Sequence, residues 1–373
     1  MLKNILFITG KSKVDYFSKA AQCCEARFVK RDSIRVYSLK AIAYAFFSLD
    51  KKDINDIYNF YIQLKNRKNA SCLYKLMLSL RARLYFARYY AFFAKQKERF
   101  FAIWNGYYLA DKAMIKAGGR FGKVPIYFEN GLLPDTTTVD MQGVNFANAM
   151  PREAAFYEQL DVPDKYDATA KLHARKPVKT TTNQPIKLAK RYIFIPFQVE
   201  SDTQIIVYGG WINNMRQLFS EITQLLPELE EDVVLVFKEH PSSHDSYEDL
   251  HQLQNAKVVF ANDNSTEELI VNAEAIITVN STVGIEALLF NKKVITLGQA
   301  FYSIDGLVLH ATNARALKQQ LRKLSHWRPD PELVRNFLWY LNEQYLVKGS
   351  WRASTPEHFL SLKKRLQQLV VDH

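Results

Sequence analysis

In the second half of the chain, short β-rich runs alternate with helical patterns, and this alternation most restricts the possible fold. The runs are Tyr192–Phe197, Val233–Phe237, Lys257–Phe260, Ala275–Val279 and Val294–Leu297. The helical patterns between and after them cover Trp211–Leu226, Thr266–Ala273 and Thr282–Phe290. Strands separated by helices need crossover connections, so they predict a parallel, doubly wound α/β sheet. Ser265 precedes one helix with Glu268 three residues on, the spacing of a capping box.

The first half also begins α/β. Asn4–Ile8, Arg27–Val29 and Ile34–Tyr37 read as strands, followed by a helical region over Ala41–Lys97 rich in Tyr, Phe, Lys and Arg. Phe100–Trp104 and Val124–Phe128 read as strands again. The polar segment His173–Pro185 has linker composition. The tail after Pro331 is helical and amphipathic, with Leu360, Leu362 and Leu366 among basic residues. The expected division is an α/β domain over 1–180 with a helical insertion, a Rossmann-like domain over 186–330, and C-terminal helices over 331–373 that cross back to the first domain. A length of 373 residues suits two domains.

Composition limits the partners. Net charge is +12 with a pI near 9.3, which favours anionic partners: nucleic acid, an acidic membrane surface, or a phosphorylated or carboxylated substrate. Three cysteines, Cys23, Cys24 and Cys72, show no metal spacing and fit a reducing cytoplasm. The N-terminal apolar run is too short for a signal peptide, and no run approaches the length of a membrane span. Any membrane association would be peripheral.

Polar groups fall where the predicted strands end, the edge at which open parallel sheets bind ligands. Asn280, Ser281 and Thr282 follow Val279 at a helix start, where free N–H groups and hydroxyls suit a phosphate; Glu286, one turn in, could accept from ribose hydroxyls. Ser and Thr there are equally ordinary N-caps. Lys238, Glu239, His240 and Pro241 follow the run ending at Phe237. Lys238 and His240 could meet a phosphate or carboxylate while Pro241 fixes the turn; a structural histidine fits too, and a metal site does not, because Pro-Ser-Ser breaks the helix that His240 and His244 would need. Gln198 and Asp202 follow Phe197. Asp202 could be a carboxylate nucleophile on a sugar carbon, or simply cap the segment from Thr203. In the first half, Tyr127–Arg152 reads as a long loop, of the kind that is often functional. Glu129, Asn130 and Gly131 stand at its start, where Asn-Gly is also a strong turn signal. Two carboxylates in unlike environments, Glu129 and Asp202, suit an acid/base and nucleophile pair facing one another across a cleft.

In order and spacing, these motifs resemble the β-Kdo glycosyltransferases of bacterial surface polysaccharide synthesis, within the capsule polysaccharide synthesis superfamily. Kdo is 3-deoxy-D-manno-oct-2-ulosonic acid. The resemblance runs from Trp104 to Leu307 and is carried by Glu129-Asn130-Gly131, Gly143-Val144-Asn145, Pro151-Arg152, Gln198 with Asp202, Lys238 with His240-Pro241, Asn280-Ser281-Thr282 with Glu286, and Ala300-Phe301-Tyr302 with Gly306-Leu307. It implies a GT-B-like α/β fold of two Rossmann-like domains facing a cleft. It implies a CMP-β-Kdo donor, no cofactor, no metal, and transfer with retention through a covalent Kdo adduct. Asp202 matches the nucleophile and Glu129 the acid/base; His240, Ser281 and Thr282 match positions that hold CMP. Lys238 and Arg152 are the candidates for pairing with the Kdo carboxylate. Glu-Asn-Gly in place of Asp-Gly places the chain nearer the polysaccharide-terminating type. The implied acceptor is a lipid-linked glycan, at the cytoplasmic face of an anionic inner membrane.

Competing readings are a CMP-sialic acid-type transferase and a non-catalytic polysaccharide export or binding protein. Nucleic-acid binding, prompted by the basic-aromatic stretch Leu73–Tyr108, is set aside: at helical spacing such aromatics are usually core, covered by Lys and Arg stems.

Overall fold

The computed structural model describes residues 1–35, 38–64, 70–163, 166 and 184–371. Among them are twelve strands: β1 (Ile5–Thr9), β2 (Arg27–Lys30), β3 (Phe100–Trp104), β4 (Val124–Asn130), β5 (Thr136–Asp140), β6 (Tyr192–Pro196), β7 (Val234–Lys238), β8 (Val258–Phe260), β9 (Ala275–Thr278), β10 (Lys293–Thr296), β11 (Leu309–His310) and β12 (Val347–Lys348). The helices of the first half are α1 (Val14–Cys23), α2 (Leu39–Ala43), α3 (Lys51–Leu64), α4 (Cys72–Phe93), α5 (Leu109–Gly119) and α6 (Ala154–Glu158). Those of the second half are α7 (Thr203–Ile206), α8 (Met215–Thr223), α9 (Glu248–His251), α10 (Thr266–Asn272), α11 (Val283–Leu289), α12 (Ala314–Lys323), α13 (Pro331–Trp339) and α14 (Pro356–Val371).

Two compact units emerge. One contains Met1–Gly131, Asp135–Ala149 and Tyr345–His373; the other contains Leu132–Pro134 and Met150–Gln344. Most of the linker-like segment, residues 173–183, lies outside the described residues, and the units divide earlier, at Ala149.

In the first unit the sheet order is β12-β5-β4-β3-β1-β2. β2, β1, β3 and β4 run parallel, while β5 is antiparallel to β4 and β12 to β5. Alternate residues of the central strands serve opposite faces, as a pleated strand requires. Ile5, Phe7, Ala102, Ile126 and Phe128 pack with Phe17 of α1 and Leu362 and Leu366 of α14. Leu6, Ile8, Phe101 and Ile103 pack with α4 and α5. Sheets covered on both faces need near-continuous apolar strands, and all five residues of β1 are buried.

Three expectations change here. No strand forms at Ile34 or Arg35, and the next two residues of that run lie outside the described ones. The single helical region expected over Ala41–Lys97 divides into α2, a π-helical turn Tyr44–Ser48, α3 and α4. The segment Tyr127–Arg152 is no structureless loop, because β5 lies within it, paired with β4. Its fold is held by Asp140, fully buried, whose Oδ1 accepts from the N–H groups of Gln142 (2.6 Å) and Gly143 (3.2 Å). Its Oδ2 accepts from Ala149 N (2.8 Å) and the Tyr345 hydroxyl (2.7 Å). Four donors compensate the desolvation of a buried carboxylate.

The second unit holds a fully parallel sheet in the order β11-β10-β9-β6-β7-β8. Numbered within the unit this is 6-5-4-1-2-3, the doubly wound order, with its switch point between β6 and β9. The start of α10 follows the spacing seen in the sequence: Ser265 Oγ accepts from Glu268 N (3.0 Å). Asn214 caps α8 at Gln217 N (2.8 Å), so that helix starts later than Trp211. Two parallel-rich α/β units with a helical C-terminal segment are of the α/β, GT-B-like class.

Candidate functional site

In the second unit, the C-terminal ends of β9, β6 and β7 stand side by side, and each is followed by one of the polar groups. Gln198 and Asn280 lie at the switch point and are both buried. Gln198 Nε2 donates to Asn280 Oδ1 (3.0 Å), and Gln198 Oε1 accepts from Asn280 N (3.2 Å). Asn280 Nδ2 donates to the carbonyls of Gln204 (2.8 Å) and Tyr208 (3.0 Å). These bonds tie the loop after β6 to the loop after β9. The pair positions the edge of the site.

Ser281 heads α11. Its Oγ accepts from Val283 N (3.2 Å), its N–H donates to Thr278 Oγ1 (3.2 Å), and its carbonyl accepts from the buried Tyr302 hydroxyl (2.5 Å). Thr282 follows at the N-cap position without a side-chain cap bond, and Glu286 lies one turn on, close enough to Tyr302 for its charge to help burial raise that phenol. Gly284 is required by packing: a Cβ there would fall 2.3 Å from the Tyr302 hydroxyl.

After β7, Pro241 occupies a tight turn in which Ser243 N donates to the His240 carbonyl (2.8 Å). His240 Nδ1 accepts from Ser242 N (3.0 Å), so the neutral ring carries its proton on Nε2. Glu239 ties β7 to its surroundings, accepting from His251 Nε2 (2.7 Å) and Asn262 Nδ2 (3.1 Å). Lys238 departs from the expectation of an anion ligand. Its half-buried ammonium donates to the carbonyls of Asn262 and, at 2.8 Å, Asn264, and burial lowers its pKa. Its charge fastens the loop after β8.

Asp202 is exposed at the N-cap of α7, where Oδ1 accepts from Gln204 N (2.9 Å) and the Thr203 hydroxyl (3.2 Å). The capping use and a chemical use of Asp202 are compatible, since the cap engages one carboxylate oxygen. Arg152 also belongs to this unit rather than to the first: its guanidinium lies 5.7 Å from the Phe301 ring and donates to the Met150 carbonyl.

The first unit carries its own cluster at the C-terminal ends of β1, β3 and β4. Glu129 sits near the end of β4, with Oε2 accepting from Asn105 Nδ2 (2.6 Å) and Oε1 from the Asn130 backbone N–H (2.8 Å) and Nδ2 (2.9 Å). Asn130 Oδ1 accepts from Trp351 Nε1 (2.8 Å). Gly131 N donates to the Thr136 carbonyl (3.1 Å), and a Cβ there would fall 1.9 Å from Thr136 Oγ1. Lys13, just past β1, places its ammonium 3.4 Å from the Trp351 ring centre and 4.5 Å from that of Trp104. Burial and then Arg352 lower the Lys13 pKa, while the charge of Glu129 opposes them. Asn105 holds φ at +62°, in the left-handed region. Non-glycine residues pay about 1 kcal/mol or more to stay there, and such strain concentrates at functional sites.

Lys13, Asn105 and Trp351 were not among the residues singled out from the sequence. Asn105-Gly106 directly after a strand is the same signal as Asn130-Gly131 and could have found one of them. Trp351 lies more than two hundred residues from Asn130, and no local pattern reports it. Among the described residues, no group of three His, Cys, Asp or Glu is placed to hold a metal.

Comparison with known proteins places these sites in context. Protein FixF of Sinorhizobium fredii is 38% identical over 250 residues, covering 67% of this chain and 60% of FixF. The chain therefore spans less than two thirds of that relative. Capsule polysaccharide export protein KpsS of Escherichia coli is 26% identical over 275 residues, covering 57% of this chain and 69% of KpsS. Among solved structures, the β-Kdo 2,7 transferase of Thermosulfurimonas dismutans KpsC aligns at 15% identity and a TM-score of 0.44, covering 97% of this chain and 99% of that one. The family model for capsule polysaccharide biosynthesis proteins matches residues 165–351, half of the chain, so this chain belongs to the capsule polysaccharide biosynthesis family.

Proposed function

We propose that this protein is a metal-independent glycosyltransferase that moves Kdo from CMP-β-Kdo to a glycan acceptor, with retention. The observation that carries the reading is the position of Gln198, His240 and Asn280–Thr282 on adjoining strand ends at the switch point of a 6-5-4-1-2-3 sheet, where nucleotides bind. Membership of a capsule polysaccharide family supports a sugar as the transferred group. In this reading Ser281, Thr282 and His240 hold the CMP moiety, Glu286 meets its ribose, and the Gln198–Asn280 pair and Lys238 keep those loops in place. Arg152 is the remaining candidate for the Kdo carboxylate, since Lys238 is engaged by carbonyls.

The chemistry proposed is a double displacement. The Asp202 carboxylate attacks the anomeric carbon, and CMP leaves with the bonding electrons on its phosphate. The acceptor hydroxyl then attacks the same carbon, Glu129 takes its proton, and Asp202 departs as carboxylate. The acceptor is proposed to be a lipid-linked glycan handled by Glu129, Asn130 and Gly131 in the first unit.

Intact-protein mass spectrometry tests this. The protein is incubated with CMP and a CMP-Kdo generating system, without acceptor. The expected result is a mass gain of one Kdo, absent in Asp202→Asn, with transfer in that variant reduced on the order of a thousandfold or more. Asparagine still caps α7, so the substitution removes charge without removing the cap. Transfer by Asp202→Asn at the wild-type rate rejects Asp202 as nucleophile. Product formation without an adduct points to a CMP-sialic acid-type or direct mechanism. Similarity to KpsS, a capsule polysaccharide export protein by name, favours a second reading, a polysaccharide export protein; binding of glycan with neither CMP affinity nor transfer would establish it.

A further inference from the structure

The longest described helix, α4, has two faces that its composition does not distinguish. Leu78, Ala82, Phe86 and Tyr89 are buried on one side. On the opposite side Leu73, Leu76, Met77, Leu80 and Leu84 are exposed, at 75%, 56%, 43%, 43% and 53%. Their spacing of three, four and seven residues sets all five on one stripe about 100° wide. Leu39 and Phe47, both 88% exposed, come from α2 and the π turn that pack along the same helix; Arg83 of α4 donates to the Ala45 and Phe46 carbonyls there. Scattered exposed leucines are ordinary, whereas a continuous stripe of this kind marks a surface that is covered in use.

Charge identifies the cover. α4 has no acidic residue, and Arg81 is exposed on it along one edge of the stripe, with Lys40 exposed next to Leu39. The chain as a whole carries +12. No described helix is long and apolar enough to cross a membrane. A basic rim around an apolar face repels a second copy of itself and suits an anionic lipid surface, with the apolar side chains entering the headgroup boundary. We infer that the outer face of α4, with Leu39 and Phe47, docks this protein on an anionic bilayer while the helix lies in the plane of the interface. The inference stands on the surface alone and does not depend on the donor or the reaction.

Sedimentation with phosphatidylglycerol-containing vesicles, against pure phosphatidylcholine, tests it at low and high salt. Wild type should bind the anionic vesicles and lose much of that binding with salt. Leu76→Glu/Leu80→Glu should weaken binding about tenfold or more, because it places two charges in the stripe that enters the headgroup boundary. Lys40→Glu/Arg81→Glu should weaken it and flatten the salt dependence. All four positions are exposed, so thermal unfolding should be unchanged and a folding defect is excluded by the same samples. Equal binding by the leucine variant, or no binding by wild type, overturns the inference. A wild-type dimer in sedimentation velocity that Leu76→Glu/Leu80→Glu splits to monomer also overturns it, and gives the face to a second copy of the chain.

Discussion

Asn105 shows how a single residue can combine strain with a polar contact at a candidate site. Its backbone takes φ of +62°, and its side chain reaches Glu129 Oε2 at 2.6 Å. If Glu129 serves as acid/base, Asn105 is a positioning residue for its carboxylate. Asn105→Gly separates the two properties, because glycine occupies that backbone region without cost. The expected outcome is kcat lowered about tenfold to a hundredfold, with the pH–rate profile displaced and little change in thermal stability. An unchanged kcat and profile would leave Asn105 as a turn residue. Glu129 was legible from its place after an apolar run. Asn105 was equally well placed, but its role depends on a side chain 24 residues away. Lys238 is the reverse case: a lysine at a strand end reads as an anion ligand, yet the carbonyls of Asn262 and Asn264 engage it.

At the scale of elements, legibility followed period. Phe100–Trp104 is found as read, and the parallel strands of the second unit shift by a residue or so, because long apolar runs bounded by polar ends signal buried strands directly. β5 was missed because all five of its residues are buried, so Thr-Thr-Thr-Val-Asp shows no alternation. The tail helix was legible, but not its anchor. In α14, His358 is buried, with Nδ1 2.8 Å from the Lys348 carbonyl and Nε2 2.9 Å from the Tyr16 hydroxyl. A carbonyl only accepts, so Nδ1 carries the proton and Nε2 accepts from Tyr16. Burial lowers the His358 pKa below its ordinary value. A base with a depressed folded pKa contributes stability above its unfolded pKa, about 6.5, and loses it as pH falls through the folded value. The first unit should therefore melt at lower temperature as pH drops below that range, and His358→Gln should flatten this dependence while lowering stability near neutrality. A parallel pH dependence in wild type and variant would show that other groups set it.

For the whole molecule, the decisive feature is that the chain returns. Residues 345–373 belong to the first unit although they follow the second in sequence. β12 pairs with β5, and Leu362 and Leu366, fully buried, complete a core made by the first 140 residues. Each buried leucine lost costs about 2–5 kcal/mol, so the segment accounts for a large share of what stabilises a unit of this size. Truncation after Gln344 should abolish the calorimetric transition of the first unit or lower it by many degrees, while the transition of the second unit persists. Two transitions at their original temperatures would mean that the returning segment is dispensable.

The sequence by itself determined the parallel α/β class, the placing of polar motifs at strand ends, and a resemblance to capsule polysaccharide enzymes. These are local properties: hydrophobic period, turn chemistry and motif spacing are all written within a few residues. Only the tertiary structure decided which polar side chains are taken up by the scaffold and which residues complete each cluster. Gln198 pairs with Asn280, 82 positions away, and Trp351 reaches Asn130 across 221. It also decided that one face of α4 is core and the other bare, since the helix is apolar on both sides and only its neighbours tell them apart. Burial and hydrogen-bond partners are set by what chain folding brings together, and no local pattern carries that information.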